Sequence, residues 1–221
     1  CALPISITGV DLLLSHVLVS NKYSIAAKLG DPANTDATPA FNSVGYGGPY
    51  STHVVGEPVL SADGMSVTVR YDSFQPDWEV MGPGPSPVHA LVLMAQGKDS
   101  LQSAKANLAA KAAFLKAFKG KETSLLKKMG AVWSNDYNIK TVNSGTNPLL
   151  LVANGGYQIK SAVADQSATL VVNPKYNSGP KLSGGVKTVV FRFIADGAAA
   201  AQALENGEIE SYKQREVYFG M

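Results

Sequence analysis

The final third of the chain constrains the fold most. Three strand-like runs and one helix follow one another there, with turn residues between them. Tyr157-Gln158-Ile159-Lys160 opens behind Asn154-Gly155-Gly156. Ala168-Thr169-Leu170-Val171-Val172 closes at Asn173-Pro174-Lys175-Tyr176, and Val189-Val190-Phe191-Arg192-Phe193 closes at Ile194-Ala195-Asp196. Runs of about 4–8 β-branched and aromatic residues bounded by Gly, Pro, Asn and Asp are strand signals. The alanine-rich segment from Ala198 favours a helix, which Gly207 stops. We therefore expect strands at 157–161, 167–172 and 187–193 and a helix at 198–206. Gly155-Gly156 is expected to hold a turn that needs positive φ.

Upstream, the period changes. Leu101, Ala104, Leu108, Ala112, Leu115 and Phe118 recur at three- and four-residue steps, with lysines on the other side. This predicts an amphipathic helix over 100–119, capped by Asp99 or Ser100 and ended by a left-handed Gly120. A second helix over 123–134 completes a helical pair at 99–135. Val10, Leu13, Leu14, Val17 and Leu18 predict a helix within 7–22, with Thr8 at its N-cap. Residues 52–72 read as a hairpin. Two runs, 54–59 and 65–71, flank Ser61-Ala62-Asp63-Gly64, and Asp-Gly in that setting favours a type I′ turn. Met65, Val67, Val69 and Tyr71 alternate with polar residues, so their face should be buried. Residues 24–50 are rich in Gly, Pro, Asn, Asp and Thr and read as a long surface loop. The fold class is α/β, of the mixed α+β kind.

Composition narrows the function. The chain has 221 residues, of which 45% are hydrophobic and 16% charged, as in ordinary globular domains. Its net charge of +2 is too small to suggest a nucleic-acid or membrane-surface partner. Lys105, Lys111, Lys116, Lys119, Lys121, Lys127 and Lys128 are interleaved with alanine rather than stacking aromatics and read as solvated helix faces. No apolar run approaches the roughly 20 residues that span a bilayer. Cys1 is the only cysteine, so no disulfide forms within the chain.

Taken in order, the blocks of the last third resemble the extracytoplasmic solute-binding proteins of peptide-type ABC transporters, the oligopeptide, dipeptide and nickel family. That family has a Gly-Pro-Tyr-like strand start, a "Leu-x-x-Asn-Pro-x-Tyr" strand end, a "Phe-Arg-x-Ile-x-Asp" strand and a helix ending "Ala-Leu-x-x-Gly-Glu-Ile-Asp". This chain supplies Gly155-Gly156-Tyr157, Leu170 to Tyr176, Phe191 to Asp196, and Ala203-Leu204-Glu205-Asn206-Gly207-Glu208-Ile209-Glu210. It departs where Gly156 replaces the family's proline. Earlier likenesses are Thr8-Gly9-Val10-Asp11-Leu12 to "Thr-Ala-x-Asp-Val", Phe74-Gln75-Pro76-Asp77-Trp78 to an aromatic "x-Asp-Trp", and Pro87-Val88-His89 to a Pro-x-His at a helix start.

The resemblance implies a two-lobe, periplasmic-binding-protein-like type II fold, with a mixed sheet and flanking helices. Residues 7–210 would form much of the first lobe, residues 155–206 leading to the hinge. Residues 1–6 are read as a non-native end and 211–221 as an unassigned tail. The implied function is capture of peptides or similar small solutes for delivery to ABC permease subunits. The implied setting is extracytoplasmic, with the full-length protein anchored as a lipoprotein and expected to be a monomer. The alternatives are a solute-sensing receptor or regulator with the same fold, or an extracytoplasmic enzyme.

The residues themselves offer little catalytic chemistry. His16, His53 and His89 lie in unrelated segments outside any HExxH or GxSxG context. His16 reads as a structural residue beside the apolar stripe of its helix, and His89 as a packing element. We expect no catalytic residues, no metal site and no cofactor. Gly45-Tyr46-Gly47-Gly48-Pro49-Tyr50 lacks the spacing of a phosphate cradle, and no helix signal follows it. It reads as an aromatic loop whose Tyr46 and Tyr50 are candidates to border a ligand cleft.

Overall fold

The computed structural model describes residues 7–31, 38–42, 48–79, 84–177, 179 and 185–211. Thr8 starts α1, Gly9–Val19, as expected. Its backbone N–H donates to Asp11 Oδ2 at 2.8 Å, and its hydroxyl donates to the same oxygen at 3.0 Å. A Thr-x-x-Asp spacing thus satisfies a donor that the helix start leaves open. α2, Asn21–Ala26, follows at once, capped by the Ser20 side chain, which accepts from Tyr23 N.

The hairpin is real but short. β1, Val59–Leu60, pairs antiparallel with β2, Val67–Thr68, and a bridge joins Val54 to Tyr71. The hairpin rests on the start of α1: Gly9 N donates to Gly64 O at 2.8 Å, and a Cβ on Gly9 would lie 2.6 Å from Leu60 Cδ1. Its loop is not the expected type I′ turn, which needs positive φ at both central residues. Gly64 has φ +71°, but Asp63 is not left-handed. The Asp63 carboxylate instead accepts from Ser61 Oγ at 2.6 Å and Met65 N at 3.0 Å. Val67, Val69 and Tyr71 pack on the core as expected, while Met65 is exposed.

Residues 24–50 are not one surface loop. α2 extends into them, α3 (Gly48–His53) begins within them, and Leu29 and Phe41 are buried. A polar composition hid these few apolar anchors. The glycine-rich motif itself runs into α3, with Pro49 in the first turn, where its missing N–H costs nothing.

α4, Val88–Ala95, is the centre of the body. It is apolar nearly all round, which suits a helix enclosed on every side. α1, α5, α6 and a 3₁₀ turn, Pro148–Leu151, pack around it. The sequence indicated only its start, at His89.

α5 is Ala104–Gly120, and both of its caps differ from expectation. The Ser103 side chain accepts from Ala106 N at the start, and Lys121, not Gly120, takes the left-handed conformation at the end. Its buried face differs too. Ala110, Lys111, Phe114, Ala117 and Phe118 point inward, whereas Leu101, just ahead of it, and Leu108 are exposed. Lys111, read as solvated, lies on this face: its ammonium meets Asp11 Oδ2 at 2.6 Å and Thr8 Oγ1 at 3.1 Å. The ion pair and the rings of Phe114 and Phe118 are buried on one side of the helix.

α6, Thr123–Ala131, continues into a π-helical turn, Val132–Asp136. Its Gly130 sits against the carbonyl of Ala40, where a Cβ would collide with backbone. Trp133 Nε1 donates to Asn42 O at 3.0 Å nearby.

The last third matches the reading closely. β3 (Tyr157–Val163), β4 (Ser167–Val172) and β5 (Thr188–Arg192) form an antiparallel sheet in that order. Tyr157 stands opposite Val172 and Thr169 opposite Val190, with an irregularity between Ile159 and Ser161. α7, Gly197–Glu205, is capped by Asp196, whose side chain accepts from Ala199 N at 2.8 Å, and Gly207 ends it at φ +70°. The fold is therefore mixed α/β. Among the described residues its strand pairings are all antiparallel.

Neither Gly155 nor Gly156 adopts the expected positive φ. Asn173 holds this corner instead. Its Nδ2 donates to Gly155 O at 2.9 Å and its backbone N–H to Gly156 O at 2.8 Å. Among the described residues no helix is long and apolar enough to cross a membrane.

Candidate functional site

A cleft of about 260 Å³ lies where α4, the start of α5, the 3₁₀ turn and the sheet approach one another. Leu101, Leu149, Leu151, Val152 and Ile159 give it an apolar lining. Gln102, Asn107, Asn154, Gln158, Asn173 and Asn177 add side-chain amides. Among the described residues its lining holds no aspartate or glutamate, and Lys175 is its one lysine. Apolar walls with a few placed polar groups are the usual chemistry of small-molecule sites.

Two of its polar atoms are buried without a partner: His89 Nδ1 and Asn107 Oδ1. His89 is only 3% exposed, at the first turn of α4. That turn is fixed from below, since Asp11 Oδ1 accepts from Val88 N at 3.2 Å. Burial holds the His89 imidazole below its usual pKa, and the nearby Lys111 ammonium pushes the same way against the smaller pull of Asp11. The ring is thus an uncharged hydrogen-bonding group on a residue that lines a partly apolar space.

A second cleft, of about 440 Å³, lies beside α1 and the hairpin and is lined by Leu12, His16, Tyr50, Tyr71 and Trp78 among others. Tyr50, one of the two tyrosines singled out from sequence, is there but buried at 7% exposure. Its hydroxyl lies 3.0 Å from His16 Nδ1, and His16 Nε2 lies 3.1 Å from Glu57 Oε2. Burial, then Tyr71 and Glu57, raises the Tyr50 phenol well above its ordinary pKa, so it stays neutral. Tyr50 is therefore tied into a chain with His16 and Glu57. Tyr46 lies outside the described residues.

The three histidines are not brought together. His16 binds Tyr50 and Glu57, His89 lines the first cleft, and His53 Nδ1 lies 2.9 Å from Asp72 Oδ1. The hydrogen bond from His53, then one from Ser73, holds the Asp72 carboxyl below its usual pKa. Among the described residues no group of three or more His, Cys, Asp or Glu side chains is placed to hold a metal.

Sequence reasoning missed Asn107, because an asparagine near a helix start reads as ordinary surface. It also missed the Asp11–Lys111 pair beneath the site, whose partners lie 100 positions apart.

The family model described as "Bacterial extracellular solute-binding proteins, family 5 Middle" matches residues 85–217, more than half of the chain. The chain belongs to this family. No curated protein matches the chain, and no solved structure matches it. Family 5 proteins serve solute binding in ABC transport. They are extracytoplasmic binding proteins that associate with ABC permeases, and the family is not one of enzymes. The first cleft falls wholly inside the matched segment, whereas every residue lining the second lies before it. That difference makes the first cleft the better candidate for the family's solute chemistry.

Proposed function

We propose that the protein is the substrate-binding component of an ABC importer. It captures peptides or similar small solutes outside the membrane, as a monomer, and hands them to a permease. The observation that carries this reading is the family 5 match over residues 85–217. The amide-rich cleft supports it, because side-chain amides pair with peptide N–H and C=O groups without regard to side-chain identity.

On this reading residues 7–210 form much of one lobe, and capture is completed when a second lobe closes over the solute. The lobe needs no charge for this task, only a neutral surface that peptide backbone can share.

The test is retention. The protein would be incubated with a mixture of short peptides, separated from free peptide, and analysed by native mass spectrometry. Peptides recovered bound and with unaltered mass are expected. Recovery of cleaved or modified peptides would favour the enzyme reading, and failure to retain any of the peptides would overturn the reading of peptide capture.

A further inference from the structure

Buried polar atoms in folded proteins are nearly always hydrogen-bonded, because desolvating one without a partner is costly. Of three exceptions among the described residues, His89 Nδ1, Asn107 Oδ1 and Tyr137 Oη, the first two belong to residues that line the same cleft. They sit on different helices, α4 and α5, which pack against one another. One missing partner on each helix, at one cavity, is the pattern expected where an absent molecule supplies both.

The chemistry of that molecule follows from the atoms. An amide oxygen such as Asn107 Oδ1 only accepts, so its partner carries an N–H or O–H. A neutral imidazole nitrogen donates or accepts according to its tautomer, so His89 Nδ1–H can serve a carbonyl. Among the described residues the lining holds no carboxylate, so no fixed negative charge there favours an ammonium over a neutral N–H. Leu149, Val152 and Ile159 offer apolar surface in the same cleft. A secondary amide with an apolar substituent meets each requirement.

We propose that this cleft binds one neutral amide unit of a solute, its N–H donating to Asn107 Oδ1 and its C=O accepting from His89 Nδ1–H. The proposal rests on the solute-binding reading and adds to it a place and a chemistry. The volume of about 260 Å³ lies just below the roughly 300–1,000 Å³ of sites that enclose whole drug-sized ligands. A space of this size accommodates one or two residues of a peptide.

The test uses the 221-residue chain labelled with ¹⁵N-histidine and follows the His89 ring nitrogens by NMR. The probes are N-methyl-3-methylbutanamide and the matching ester, methyl 3-methylbutanoate, which has the same shape but no N–H. The amide is expected to move the His89 resonances saturably and to bind about tenfold or more tightly than the ester, the effect of leaving one buried acceptor unpaired. N-acetyl-leucine N′-methylamide is expected to bind more tightly still if the natural source is a peptide; equal binding would point to a simple amide instead. Asn107→Leu, with its fold checked by circular dichroism, is expected to abolish the preference for amide over ester. Should that variant misfold, the comparison on the unaltered chain still decides.

His89 resonances that stay in place throughout the amide titration would overturn the site, and would leave water as the partner of both atoms. Equal affinity for amide and ester would overturn the assigned chemistry. Retention of peptides with silent His89 resonances would sink this site while sparing the reading of peptide capture. A responsive His89 in a protein that retains no peptide would do the reverse.

Discussion

The ammonium of Lys111 lies 2.6 Å from the carboxylate of Asp11, a residue 100 positions earlier, and both side chains are buried. The same carboxylate accepts from Thr8 at the start of α1 and from Val88 at the start of α4. One aspartate therefore joins three helices. Two of these bonds place its negative charge at helix N-termini, where the helix dipole favours it.

Removing either partner should be costly, since it leaves a buried charge uncompensated, at about 3–5 kcal/mol. Asp11→Ala should cost more than Lys111→Met, because Asp11 also satisfies two backbone donors. Urea unfolding of both variants checks this. A loss below about 1 kcal/mol for each, the size seen for exposed pairs, would contradict the burial described.

Gly130 and Gly64 should respond differently to alanine. At Gly130 a Cβ meets the Ala40 backbone, so α6 must shift, at a cost of about 1–3 kcal/mol or more. At Gly64 nothing lies within 4 Å, and the cost is that of a left-handed alanine, roughly 1 kcal/mol. Thermal unfolding of the pair separates a steric cost from a conformational one.

His89 makes stability depend on pH. Its folded pKa lies below the ordinary value of 6.5, so the unfolded chain takes up the proton first. Stability is then complete above about pH 6.5 and falls as pH drops toward the folded value, by at most ~1.36 kcal/mol per unit. Below the folded pKa this contribution levels off. His89→Gln should show a shallower decline between pH 7 and 5 than the unaltered protein. Equal slopes would show that His89 does not carry the effect.

Asn173 should matter more than the glycines it holds. Asn173→Ala removes a bond to Gly155 O and another from Lys175 N, at about 0.5–1.5 kcal/mol for each net bond lost. Gly156→Ala lacks a positive-φ penalty. Comparing the two variants by chemical denaturation tests which residue fixes the corner.

Local periodicity carried most of the fold. The strands of the last third, α7 and its Gly207 stop, α1 with its Thr8 cap, and the hairpin were all legible, because each follows from neighbours in sequence. Long-range demands were not. The buried face of α5 was misjudged because a lysine was assumed to seek water, while its partner stood in another helix. Leu29 and Phe41 were overlooked because polar neighbours outnumber them. The cleft was invisible for a related reason: His89, Asn107 and Ile159 come from separate elements, and only packing brings them to one cavity.

The three-stranded sheet has a consequence for how the molecule comes apart. None of its residues is fully buried, and Ile159, Val163, Val190 and Phe191 are exposed. Its ladder is joined to the body by the bridge between Val142 and Ala162. Amide protons of β3 to β5 should therefore exchange with solvent through a local opening that leaves α4 closed, while those of α4 wait for global unfolding. The cleft has one wall on each side of that divide, so occupancy would slow exchange in the sheet and tie two cooperative units into one.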